Sequence, residues 1–194
     1  MRVDISIVIF MLSLAVFLAL SPMLLFSHSN QESQITSEDL SQPQRDALEA
    51  GPFTKPGQED GISLTGALLI DGDLFIAGEF TGNHKLSNYS LDSEGSSDLM
   101  VARLDANGSW NWIVTLGGEG IDSSITLELV DGRISVRGAI FGEVEFGNWT
   151  IGDNDTAGNQ AFVGDIYAEN GDWRTAQIDP YGDLSSDPAL WCGW

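Results

Sequence analysis

Twelve residues of this chain are written nearly twice, as "DGDLFIAGEFTG" from Asp71 and as "DGRISVRGAIFG" from Asp131. Each copy is entered by an apolar run and left by another: "TGALLI" leads to "LFIAGEF", and "TLELV" leads to "RISVRGAI". The Asp-Gly pair between the runs is a two-residue hairpin signal, because both central residues of that turn take positive φ. The likeness extends beyond the hairpins. "DLMVARLDANGSW" (98–110) aligns with "QAFVGDIYAENGDW" (160–173) with one added residue, matching Met100 to Phe162, Leu104 to Ile166 and Trp110 to Trp173. Between hairpin and closing strand each copy holds a polar segment with a short apolar patch, "HKLSNYSL" and "EVEFGNWTI". A fixed period of about 60 to 63 residues, with some four strands per unit, predicts an all-β domain over 61–178 built of two antiparallel repeats, 64–116 and 125–178.

Read together, "GEFTG", "DLMVARLDANGSWNW" and "LGGEGID" resemble the β-propeller repeats of surface-exposed bacterial and archaeal proteins over residues 65–177. In the second unit Asp165 stands where the first has Arg103, and "IDPYGDLSSD" stands where the first has "LGGEGID". The resemblance implies propeller-blade-like units that act as scaffolds for surface interactions, and it implies no particular ligand. Closed propellers use ~4 to 8 blades. Two blades expose sheet edges, so the expected solutions are self-association, a complex with another β-repeat protein, or closure into a compact sandwich.

The rest of the chain bears on location. Residues 5–26 are 22 uncharged residues, enough at ~1.5 Å each to cross ~30 Å of hydrocarbon. They predict a signal-anchor helix over 1–27, with a signal peptide cleaved after Ser29 as the alternative. Arg2 is the only basic residue before Arg45, so the N-terminus is expected in the cytoplasm and the rest of a single-pass protein outside. Residues 28–60 are rich in Ser, Gln, Glu and Pro, which predicts a disordered polar linker, with a short helix capped by Ser37 or Ser41 as a further option. The tail, 179–194, contains "SSDPALWCGW", which begins a third unit and stops.

Charge and residue type exclude several functions. Lys and Arg number 8 against 29 Asp and Glu, a net charge of -21, and such a surface repels nucleic acid. The one cysteine, Cys192, forms no intrachain disulfide. With His28 beside the apolar run, a nucleophile-histidine pair would rest on His84 alone, so no catalytic residue and no cofactor is expected. Calcium is the weak exception: Asp105 and Asn107 in "DANGS", and Asp153 and Asp155 in "DNDTAGN", are hard oxygen ligands without a complete loop around them. Four N-x-S/T sequons, at Asn88, Asn107, Asn148 and Asn154, are candidate glycosylation sites on an external chain. Six tryptophans offer either packing or a sugar-binding face, and Trp191 and Trp194 are placed to fold back over an open edge. The expected function is therefore a non-catalytic, membrane-anchored, extracellular interaction or cell-envelope module. A secreted carbohydrate- or calcium-binding module is the alternative, and a hydrolase using paired carboxylates a distant third.

Overall fold

A computed structural model describes residues 35–54, 61–155 and 158–179. The apolar run 5–26 and the tail 180–194 lie outside the described residues, and among those described no helix is long and apolar enough to cross a membrane. Among the described residues the fold is all-β with one helix, α1 (Gln42–Ala50).

Each repeat is a curled four-stranded meander. In the first, β2 (Ile62–Ile70), β3 (Asp73–Phe80), β6 (Asp98–Leu104) and β7 (Trp110–Leu116) lie in that order, and β1 (Phe53–Thr54) adds a parallel edge beside β2. In the second, β8 (Ser123–Val130), β9 (Arg133–Phe141), β12 (Asn159–Ile166) and β13 (Trp173–Ile178) repeat the order. Each unit inserts a small hairpin between its second and third strands: β4 (Asn83–Leu86) with β5 (Tyr89–Asp92), and β10 (Val144–Phe146) with β11 (Trp149–Ile151).

The repetition reaches down to register. Asp71 and Gly72 take φ of 54° and 89°, and Asp131 and Gly132 take 49° and 74°, as the tight hairpin requires. Leu104 faces Trp110 and Ile166 faces Trp173, each pair following a bulge at the same place. The tips of the small hairpins match as well, with Ser87 at φ 57° and Gly147 at φ 58°.

Because side chains alternate across a strand, each sheet has two faces, and the faces of the two units differ. One face of the first unit carries Leu74, Ile76, Phe80, Met100, Ala102 and Leu104, all buried. Its other face carries Phe75, Ala77, Leu99, Val101 and Trp112, which pack on Ile134, Val136, Ile140, Phe162 and Ile166 of the second unit. In the aligned register Ile134 corresponds to Leu74 and Val136 to Ile76. The two units are therefore stacked in the same sense, the back of the first on the front of the second. Burying a side chain of this size is worth about 1.5 to 3 kcal/mol, so this interface and the first unit's front make up the core.

Residues 35–54 cover that front, although their composition suggests a linker. Leu40 and Phe53 are buried against Leu74, Phe80 and Met100, with Ala47 and Leu48 beside them. Ser41 caps α1: its hydroxyl accepts from the Gln44 N–H at 3.2 Å, and the Gln44 side chain accepts from the Ser41 N–H at 3.0 Å. Gln44 is only 1% exposed, and its amide also donates to the Gly72 carbonyl at 2.9 Å, tying α1 to the hairpin turn of the sheet. Composition missed this because the apolar residues of the segment are few, but they fall together on one surface.

Replacing Gln44 with Ala leaves the Gly72 carbonyl and the Ser41 N–H without that partner, and we expect a loss of about 1 to 3 kcal/mol. Thermal unfolding measures it; a linker that merely trails from the domain would show no change.

Candidate functional site

The chain passes from the first unit to the second through "GGEGID" (117–122), and two buried carboxylates hold that passage. Asp122 is fully buried. Its Oδ1 accepts from the Phe141 N–H at 2.8 Å and its Oδ2 from the Gly118 N–H at 3.0 Å, which closes the loop on itself and pins it to the end of β9. The main chain joins the units too: the Asp122 N–H donates to the Ser97 carbonyl at 2.9 Å, and the Ser97 hydroxyl donates to the Asp122 carbonyl at 2.8 Å. Asp98, also buried, opens β6 on the other side and accepts from the Glu94 N–H at 3.0 Å. The glycines are set by closeness: a Cβ on Gly117 would come within 2.4 Å of the Asp98 carboxyl carbon, and one on Gly120 within 2.4 Å of the Phe141 ring.

Burial disfavours the charged form of both acids. It raises Asp98 above the usual carboxylate range, against the opposing backbone N–H bonds of Glu94 and Gly95. Burial likewise raises Asp122 from 3.8 to about 6; the Phe141 and Gly118 N–H groups oppose the shift and the charge of Asp98 adds to it. The junction between the two units is therefore sensitive to protonation, with Asp122 neutral below about 6 and charged above it.

The weak calcium candidates fall in two separate turns. Asp105 Oδ1 accepts from the Asn107 N–H at 2.9 Å and the Ser109 N–H at 3.0 Å, shaping the turn between β6 and β7. Asp153 Oδ1 accepts from the Asp155 N–H at 3.0 Å in the loop before β12. Among the described residues no group of three or more His, Cys, Asp or Glu side chains is gathered for a metal ion.

The four sequon asparagines are exposed, in different settings. Asn88 and Asn148 stand at equivalent tips of the two small hairpins. Asn107 lies in the turn that Asp105 shapes, and Asn154 Oδ1 accepts from the Glu143 N–H at 3.1 Å. His84 is part of the first small hairpin, with Nε2 2.7 Å from the Thr81 carbonyl and its ring edge-on to Phe80.

The four described tryptophans are packing residues. Trp110 lies against Phe53, Trp112 against Phe75, and Trp173 against Phe146 and Phe162. The Trp149 indole N–H donates to the Trp173 carbonyl at 3.3 Å. Large apolar side chains open to solvent, Ile121, Leu129, Val130, Phe141 and Tyr167, all lie beyond the first unit's closing strand.

Sequence reasoning missed Gln44, Asp98 and Asp122. The signal for Asp122 was present, because an acid closing a run of three glycines is what a loop needs when its N–H groups have no strand partner. No protein-family model, curated protein or solved structure matches this chain.

The pH dependence of stability follows in sign from Asp122. The folded chain keeps its proton to about 6, whereas the unfolded chain releases it near 3.8. The folded state binds more protons in that window, so stability falls as pH rises through it. We expect the melting temperature to rise on acidification across this range. Asp122→Asn, which keeps one of the two acceptors, should melt lower at every pH and show a shallower slope; an unaltered slope would place the pH sensitivity elsewhere.

Proposed function

We propose that the chain is a non-catalytic interaction module displayed on the outside of a membrane, its two propeller-blade-like units carried by an apolar anchor at residues 5–26. What supports this reading is the end-to-end asymmetry of the stack. Its first face is sealed by residues 35–54 of the same chain, while β7 and β13 are outer strands of their sheets. An outer strand offers a row of main-chain donors and acceptors to a partner strand, so the partner fitting this chain is another β-repeat chain or a second copy that extends a sheet. The acidic surface keeps such a module soluble and away from nucleic acid. The sequons at Asn88 and Asn148, on exposed hairpin tips, suit glycan attachment if the domain is external.

An alkaline carbonate wash of membranes tests the placement. The full chain should stay with the pellet, and in intact cells an added protease should reach the β-domain. Release into the supernatant would favour the secreted alternative.

A further inference from the structure

The two small hairpins share a second likeness, and it bears on modification. Strand alternation gives each hairpin two faces. In the first, Leu86, Tyr89 and Leu91 turn inward, while Lys85 and Ser90 pair on the outward face. In the second, Val144, Phe146, Trp149 and Ile151 turn inward, while Glu145 and Thr150 pair outward. The middle residue of each tip sequon, "NYS" (88–90) and "NWT" (148–150), is therefore an inward aromatic, and the hydroxyl residue that follows it is exposed.

Both aromatics are tied to the neighbouring outer strand. The Tyr89 hydroxyl donates to the Asn111 carbonyl of β7 at 2.8 Å, and the Trp149 indole N–H donates to the Trp173 carbonyl of β13 at 3.3 Å. Anchoring the middle residue turns its two companions outward: Asn88 and Ser90 are exposed, as are Asn148 and Thr150. Among the described residues neither carboxamide, of Asn88 or of Asn148, makes a hydrogen bond.

The other two sequons are built differently. Asn107 is exposed, but Asp105 Oδ1 holds the N–H groups of both Asn107 and Ser109 in a compact turn. That turn is docked on the start of α1: the Ser41 hydroxyl donates to the Ala106 carbonyl at 2.7 Å, and a Cβ on Gly108 would come within 2.5 Å of the Pro43 carbonyl oxygen. The Asn154 carboxamide is already engaged by the Glu143 N–H, and a Cβ on Gly142 would lie 2.7 Å from its Oδ1.

We propose that Asn88 and Asn148 are a matched pair of N-glycan acceptors, and that glycans there control access to the outer strands β7 and β13. The reaction is a glycosyl transfer from a sugar carried on a lipid diphosphate. The carboxamide nitrogen forms a bond to the anomeric carbon, the bond from that carbon to the diphosphate oxygen breaks, and the lipid diphosphate leaves with the electron pair. The amide gives up one proton, and nothing is oxidised or reduced. A separate transferring enzyme does the catalysis; this chain supplies the acceptor. Because Tyr89 and Trp149 hold each tip against an outer strand, a glycan at either asparagine stands beside the main-chain donors and acceptors that a partner strand would use. The modified chain keeps its edges apart, and the unmodified chain offers them. This rests on the external placement proposed above and adds what controls the strand edges named there.

The full chain, with a C-terminal tag carrying one further sequon, is expressed in cells that glycosylate exported asparagines. Mass spectrometry then reads occupancy site by site after enzymatic deglycosylation, which leaves an aspartate at every modified asparagine. We expect Asn88 and Asn148 to be occupied several-fold more often than Asn107 and Asn154. Equal or reversed occupancy would overturn the proposal. A modified tag beside bare Asn88 and Asn148 would overturn it too while leaving the external placement standing, whereas a bare tag with every other site bare would overturn both. Light scattering in one detergent compares the modified protein with the deglycosylated one. Its mass should rise to that of a dimer or larger when the glycans are removed, and an unchanged mass would overturn the control assigned to them.

Discussion

The structure depends on one contact: the back of the first sheet laid on the front of the second. Each unit is a single sheet, which cannot bury both of its faces by itself. Stacking in the same sense turns one unit's exposed face into the next unit's cover. The polar contacts are placed where they fix the angle of this packing. Arg103 is itself held by Asp73, whose Oδ2 accepts from Nε at 2.9 Å, before it reaches across to the Ala168 carbonyl. The second unit's closing turn therefore rests on two donors of the first, and a Cβ on Gly171 in that turn would come within 2.7 Å of the Trp112 ring.

Much of this was legible in the residues. Asp71-Gly72 and Asp131-Gly132 marked the two long hairpins, and the alignment of Leu104 with Ile166 and of Trp110 with Trp173 reappears as shared register and shared bulges. What was not legible was the direction of each face. Periodicity of two separates the faces of a strand without saying which meets which neighbour, and the substitutions that distinguish them, Ser135 for Phe75 and Arg137 for Ala77, read along the sequence only as drift. Seen in register, they are where the corresponding faces of the two units differ.

The segment 35–54 shows the opposite limit. A scarcity of apolar side chains is a sound argument against an independent core, yet a segment that borrows a core needs few of them. Leu40 and Phe53 find a surface that β3, β6 and the first small hairpin have already assembled, and the buried amide of Gln44 is satisfied by groups of both partners. Of the candidate site residues, the turn acids were visible because Asp, Asn and Gly cluster there. Their role was not, since an acid that accepts its own loop's N–H groups and one that waits for a cation have the same spelling.

The buried acids at the junction explain how a chain of such charge keeps its units together. Among the described residues most carboxylates are at least partly exposed, and self-repulsion among them opposes any compact state. Asp122 and Asp98 are exceptions, buried at the one place where the two sheets are covalently joined. Buried charge opposes stacking there, so protonation of Asp122 as pH falls through about 6 favours it. Acidification thus acts on this protein twice in the same direction: it weakens the repulsion over the whole surface and completes the neutral form of the junction. The interface between the units is accordingly the part of the fold whose stability is most closely tied to pH.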